Sequence, residues 1–388
     1  MALLRCGGPE EPAAARGPTV TEEWQPTTEP LVLHVIPTTV ARGAQREARA
    51  LADRLDAPGL RAHRVLSLFD GPVEVPADFS LRLTASGTPA TGYDPRVVVK
   101  LRSALKRLDP ALVVAHGGDP LKYLVPAMVG RRRPLAYYAI GTFAGPRHRR
   151  LQVWMWRRLL RKTDVIAAEG PEVKSECTEL LGAPADRVVI TPNGRDAQEF
   201  HPRRSDGGQT QPLIAFVGAL TDGKRPDRFV ETVAALRARG MAFRAQLIGD
   251  GPLRRALVAP SEDAGVELLG SRPDIAELLR HADLLVFPSR PAGEGLPGVL
   301  VEAGLTGLPV VATDVPGVRT IVQDGSTGLV VPDNDLSALV TATARLVEDT
   351  ALRTAMGQAA RRRCLDLFSI DVVAAQWLEL LRPLLPVV

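Results

Sequence analysis

Cysteine is scarce. Cys6, Cys177 and Cys364 are odd in number and far apart, which excludes a disulfide framework and a thiolate metal site and fits a reduced, cytoplasmic chain. Long apolar runs are also missing, so no segment approaches the roughly 20 apolar residues that span a bilayer. The first residues, MALLRCGGPEEPAAARGP, have neither a basic start nor a sustained apolar stretch and do not read as a signal peptide. Internal repeats are absent. The only low-complexity block is residues 1–28, rich in Pro, Glu, Ala and Thr, which is expected to be a disordered tail. What remains has an ordinary globular balance, with 45% apolar residues and a net charge of +4. At 388 residues it is too long for one ordinary core, so two domains are expected.

Strand-like and helix-like patterns alternate along the chain. LVLHVIP, from Leu31, is of strand length; TTVARG follows, then QREARALADRL with helical apolar spacing. HRVLSLF is the next strand. Tyr93 to Leu108 predicts a helix stopped by Asp109-Pro110, and ALVVAHGGD a strand running into a glycine turn. PLAYYAI, TDVIAAE and RVVITPNG continue the series, with Asn193-Gly194 marking a tight turn. RRSDGGQTQ, from Arg203 to Gln211, is polar and glycine-containing and suits an interdomain linker. The alternation then resumes from PLIAFVG to a final amphipathic helix, SIDVVAAQWLELLRPLL. The expected class is α/β, with parallel sheets covered by helices and ligands at the carboxyl ends of the strands. His116 stands at such an end, before Gly117-Gly118-Asp119. An imidazole there can donate to a sugar hydroxyl or share charge with a phosphate; the alternative is a turn histidine satisfied by local backbone.

Charge is uneven. From Lys100 to Lys162 there are fifteen Lys or Arg and two acids, Asp109 and Asp119. Within that span RHRRLQVWMWRRLLRK, Arg147 to Lys162, interleaves Trp154, Trp156, Leu151, Leu159 and Leu160 with seven basic residues. As a helix it would either lie on an anionic membrane or pack on the sheet with a solvated basic face. No nucleic-acid recognition module accompanies it, and no nucleic-acid partner is expected.

The chain is organised around VFPSRPAGEGLPGVLVEAGLTGLPVVATDVPG, Val286 to Gly317. Glu294 and Glu302 stand eight positions apart, with a Gly/Pro turn between them and a helix expected to open at about Leu296. Unpaired amides and the macrodipole make a helix start suitable for phosphate. Glu302 would lie a rise of roughly 10 Å or less into that helix. One carboxylate can then bond hydroxyls at one end of a sugar nucleotide, and the other those at the far end. Alone, this spacing would read as two solvated glutamates. The flanking strand patterns ADLLVFPS and GLPVVATDVPG change that.

With those flanks the segment resembles the E-x7-E signature of the retaining glycosyltransferases of family 4, which have the GT-B fold. TPNGRDAQEFHP, Thr191 to Pro202, resembles the family's P-N-G-x-D-x-x-x-F-x-P stretch, and the resemblance covers nearly the whole chain from about residue 30. It implies two Rossmann-like domains, 29–205 on the acceptor side and 206–369 for the nucleotide sugar, with a last helix at about 370–388 crossing back to the first. It also implies glycosyl transfer from a nucleotide-diphosphate sugar to an unidentified acceptor hydroxyl, with retention, no metal and no cofactor. Glu302 would hold the ribose hydroxyls, and Glu294 and His116 the sugar. Gly298, Val299 and Leu300 would offer backbone amides, and Gly43 would lie in the first loop beside donor and acceptor. Gly249, in the G-D-G-P turn, would let the backbone pass beside the ligand, and Arg272 would lie where the base is held.

Two departures stand out. Pro297 replaces a glycine and has no N–H to offer. Ala219 replaces the arginine that usually follows the strand glycine; Lys224 is kept as a point charge for the diphosphate, and Arg225 is the candidate to stand in. Other readings are a GT-B enzyme of different chemistry, such as a nucleotide-sugar epimerase or a phosphorylase, and a non-catalytic nucleotide-sugar-binding or membrane-surface protein. The expected location is cytoplasmic, with peripheral membrane contact left open by the basic segment.

Overall fold

The computed structural model describes residues 29–40, 43–56, 61–71, 75–83, 93–141, 150–203, 211–291 and 295–386. The expected tail, most of the linker and Glu294 lie outside the described residues. Strands and helices alternate as their apolar periods require. The first series is β1 (Leu31–Thr38), α1 (Gly43–Leu55), β2 (Ala62–Phe69), β3 (Phe79–Ser80), α2 (Pro95–Leu108), β4 (Leu112–His116), α3 (Gly118–Ala127), β5 (Leu135–Ala139), α4 (Arg150–Leu160), β6 (Val165–Ala168), α5 (Pro171–Ser175) and β7 (Val188–Ile190). The second is β8 (Leu213–Val217), α6 (Pro226–Ala238), β9 (Arg244–Ile248), α7 (Arg254–Ala264), β10 (Glu267–Gly270), α8 (Ile275–His281), β11 (Leu284–Phe287), α9 (Gly298–Thr306), β12 (Val310–Thr313), α10 (Val318–Ile321), β13 (Gly328–Val331), α11 (Leu336–Glu348), α12 (Thr350–Phe368) and α13 (Ile370–Leu381).

Among the described residues the strands form two parallel sheets, ordered β3-β2-β1-β4-β5-β6-β7 and β10-β9-β8-β11-β12-β13. Strand order reverses between β1 and β4 in the first and between β8 and β11 in the second. Such switch points open a crevice at the carboxyl ends, where ligands bind in α/β sheets. The site is therefore built from the loops after β1, β4, β8 and β11.

Because strand side chains alternate, each sheet faces two layers. In the first sheet Leu31, Leu33, Val35, Val113, Ala115 and Tyr137 face the layer of α2, α3 and α4. Val32, Val114, Ala136 and Tyr138 face α1 and α13. Thus α13, last in the chain, covers the first sheet. Trp377 on α13 is fully buried, edge-on to Tyr138 at 5.4 Å and stacked with His116 at 6.2 Å. Burying an aromatic of this size stabilises the fold by roughly 1.5–3 kcal/mol.

The ends of elements follow local chemistry. The α2 helix opens at Pro95, not Tyr93, because Asp94 is the N-cap and its carboxylate accepts the Arg96 amide at 2.9 Å. It stops at Asp109, whose left-handed backbone (φ 43°) precedes Pro110. Asp335 and Asp349 cap α11 and α12 in the same manner as Asp94.

Asn193-Gly194 corrects the sequence reading. No tight turn forms there. The chain runs extended, with the Arg195 amide donating to Phe368 at 3.0 Å and the Ile370 amide to Arg195 at 2.8 Å. Glycine is required because a Cβ at 194 would press on Ile370 and Val373 of α13.

Candidate active site

At the start of α9 the helix opens at Gly298 rather than Leu296, with Pro297 as N-cap. The fixed φ of Pro297 suits that place, and its missing N–H costs nothing there. The Leu296 amide is not part of the helix; it donates to Glu169 Oε1 of the first domain at 3.1 Å. Of the three amides expected to be available, Leu300 is engaged, donating to the Pro297 carbonyl at 3.0 Å. Gly298 and Val299 remain the candidates for an anion.

Glu302, in the second turn of α9, is mostly buried and faces the first domain. Arg195 Nε donates to its Oε1 at 2.8 Å. The other contacts of Arg195 are local: Nη1 donates to the Asn193 side-chain oxygen and to the Gly194 carbonyl. Burial is the largest single influence and works against its charge, but Glu302, Glu47 and Tyr138 together outweigh it and hold the guanidinium above its usual value. A Cβ at Gly298 would collide with this guanidinium, and one at Gly43 would lie 3.6 Å from Nη2. Gly43 is the first residue of α1 rather than a loop residue. The structure therefore brings together Gly43, Gly298 and Glu302 from the expected set, around an arginine that sequence reasoning missed. The signal available was a charged residue inside the P-N-G-x-D stretch.

The second cluster lies after β8. The Lys224 ammonium stands over the Phe287 ring at 5.3 Å, at the end of β11. The Arg225 guanidinium forms a bidentate pair with Asp227, with contacts of 2.7 to 2.9 Å, and its backbone is left-handed at φ 50°. Arg225 was the candidate for the missing arginine; in this structure its Nε and Nη2 are held by Asp227. Gly249 takes φ 144°, and a Cβ there would strike the Gly218 carbonyl. Its role in this structure is close approach of two strand ends. Arg272 is exposed and bonded to Asp274 at 2.6 and 2.8 Å.

His116 ends β4 as expected, yet its ring is 1% exposed. It is sealed by Trp377, Tyr138 and His34, so the structure does not present it to a sugar. His34 Nδ1 lies 2.8 Å from His116 Nε2, and His34 Nε2 lies 3.0 Å from His63 Nδ1. Burial drives all three imidazoles toward the neutral form, His116 to about 3 and His63 to about 4. Among the described residues His116 Nδ1 has no hydrogen-bond partner. A chain in which His116 donates to His34, and His34 to His63, leaves only a lone pair unmet there, at less cost than a buried N–H. Nearby, Tyr138 Oη donates to Glu47 Oε1 at 2.9 Å and the Gly194 amide to the same oxygen at 3.2 Å. Burial raises the Glu47 carboxyl to about 8, partly offset by Arg195.

Two family models match the chain in tandem. Glycosyltransferase Family 4 covers residues 41–199, and Glycosyl transferases group 1 covers residues 211–349. The chain belongs to glycosyltransferase family 4. An exopolysaccharide phosphotransferase of Streptomyces coelicolor is 34% identical over 56% of this family 4 chain and 23% of that protein. A D-inositol 3-phosphate glycosyltransferase of Nocardia farcinica is 32% identical over 52% of this chain and 49% of that one. The chain thus spans about half or less of these relatives. In structure it resembles Anabaena HepE in complex with UDP and glucose, with TM-score 0.75 and 20% identity over 90% of this chain and 99% of that one. It also resembles sucrose-phosphate synthase of Thermosynechococcus elongatus, with TM-score 0.72 and 19% identity over 92% and 99%. These likenesses establish the GT-B fold.

Proposed function

We propose that this chain is a retaining glycosyltransferase that moves a sugar from a nucleotide-diphosphate sugar to an acceptor hydroxyl. The observation that carries the reading is Glu302 in the second turn of α9, behind the Gly298 and Val299 amides that open that helix, with Lys224 over Phe287 at the end of β11. Glu302 accepts the ribose hydroxyls. The Gly298 and Val299 amides and the Lys224 ammonium receive the diphosphate, whose negative charge grows as the anomeric C–O bond breaks. The acceptor oxygen then bonds to the anomeric carbon on the same face, and its proton passes to the departing phosphate oxygen. Neutralisation by Lys224 and backbone amides is a scheme without a metal. HepE structures with UDP and UDP-glucose support a nucleotide sugar as donor. Glu294 and His116 as sugar-positioning groups remain part of the proposal, His116 only if Trp377 and Tyr138 move aside.

The test is calorimetry with UDP, GDP and ADP and their glucose and mannose conjugates, followed by NMR of the product formed with and without a chelator. Binding of one nucleotide, and a product anomer matching the donor in both conditions, are expected. Inversion, or dependence on a metal, would overturn the corresponding part. Epimerised free sugar, or phosphorolysis, would favour the other chemistries.

A specific observation bears on the acceptor side. No helix among the described residues is long and apolar enough to cross a membrane. Yet α4 turns Val153, Trp156 and Leu160 inward and leaves Leu151, Trp154 and Met155 exposed, at 73%, 53% and 40%. Arg150, Arg158, Arg161 and Lys162 stand exposed around them, with the Arg158 guanidinium 4.8 Å from the Trp154 ring. An apolar patch ringed by cations complements an anionic bilayer surface, and we infer that this face rests on one.

A further inference from the structure

Arg195 holds two N–H groups that nothing among the described residues uses. Its Nε–H goes to Glu302 and its Nη1 hydrogens to Asn193 and Gly194. Among the described residues Nη2 has no hydrogen-bond partner, and it lies between Gly43 and Gly298. Those residues begin α1 and α9, so the guanidinium edge sits between the positive ends of two helices. A cation is out of place there unless an anion joins it. Glu302 supplies one negative charge, while burial holds nearby Glu47 toward its neutral form. Both glycines lack the side chain that would fill the gap. The arginine cannot retreat easily, since its backbone is clamped between Phe368 and Ile370.

We propose that Arg195 is a donor-binding residue whose Nη2 edge contacts the diphosphate, while Nε stays on Glu302. This rests on the nucleotide-sugar reading of the same site. One guanidinium then reads the phosphates and orients the carboxylate that reads the ribose. A carboxylate has about four lone-pair sites, so Glu302 can keep Arg195 and still accept from ribose hydroxyls. The planar fork matters: a lysine would keep the charge but could not hold both partners. With Arg225 spent on Asp227, Arg195 also supplies the second cation that the loop after β8 does not.

The experiment is titration of wild type, Arg195→Gln and Arg195→Lys with UDP and uridine and with GDP and guanosine, at low and moderate salt. Thermal unfolding in parallel confirms that each variant is folded. Expected for Arg195→Gln is at least tenfold weaker nucleoside diphosphate binding with less salt dependence, and nucleoside binding within about twofold. Arg195→Lys should fall between, and should fold even if the glutamine variant does not. Equal weakening of diphosphate and nucleoside, or no change in either, would reduce Arg195 to a tether for Glu302 and overturn the inference. If wild type binds no nucleoside diphosphate, the donor-site reading itself fails, a result distinct from loss confined to the variants.

Discussion

Glu169 Oε1 accepts the Leu296 amide at 3.1 Å, joining the end of β6 in the first domain to the segment before α9 in the second. The same oxygen accepts the Gly141 amide at 2.5 Å. Gly295 lies against this carboxylate, and a Cβ there would collide with it. Gly317 adds a weaker link, its amide donating to Glu172 at 3.4 Å. Glu169→Ala would leave two amides unmet. The expected loss is about 1–3 kcal/mol by urea unfolding, with a raised donor KM because the approach to α9 loosens. Gly295→Ala should raise that KM at least as much. Unchanged KM in both would separate this contact from donor binding.

Lys224→Ala is expected to lower kcat by about 10²–10³-fold, the usual loss for one group aimed at developing charge. Arg225→Ala should stay within about threefold, because its guanidinium is occupied by Asp227. Steady-state kinetics decide between them, and comparable large losses in both would put Arg225 back at the diphosphate. Glu302→Gln should weaken nucleoside binding as well as nucleotide binding if Glu302 is, as proposed, the charged acceptor for the ribose.

The buried histidines set the acid limb of stability. Their folded values lie below the unfolded value of about 6.5, so the unfolded chain binds more protons at acid pH. Stability is full above pH 6.5 and falls below it, by about 1.4 kcal/mol per pH unit for each histidine kept neutral. Glu47 acts oppositely. Its carboxyl is raised from 4.5 to about 8, so its contribution is present below 4.5 and is lost as pH rises through 8. Urea unfolding from pH 5 to 9 should show a maximum near pH 6–6.5, and Glu47→Gln should flatten the alkaline side. A profile flat from pH 5 to 6.5 would show the histidines charged in the fold.

Membrane contact through α4 is checked by sedimentation with vesicles. Binding to vesicles with anionic lipid at low salt, absent with neutral lipid and reduced by salt, is expected. Trp154→Ser should weaken it, and glutamate at Arg158 and Arg161 should abolish it. No binding at low salt would make the face a solvated surface and leave a soluble acceptor.

The two-sheet architecture was legible because parallel strands buried on both faces read as short apolar runs, and helices announced themselves by spacing. The α9 region was legible for the same reason. Arg195, Glu169 and Glu47 were not, because their roles depend on partners more than a hundred residues away, such as Glu302 and Leu296, or on burial that no local pattern encodes. His116 was placed correctly on β4, but its enclosure comes from Trp377, which only the return of α13 brings near. Asn193-Gly194 misled because glycine served close packing there instead of reversal. The pairing of Arg225 with Asp227, two residues on, was not legible in the sequence either.

The return of α13 also orders events in time. Val32, Val114 and Tyr138 belong to strands made early, but Trp377 and Ile370, which cover them, leave the ribosome only after the entire second domain. Until then one face of the first sheet is an apolar surface awaiting its cover. The second domain has no such debt to later residues once α12 is made. It should therefore acquire protease resistance first on a nascent or refolding chain, reversing the order of synthesis.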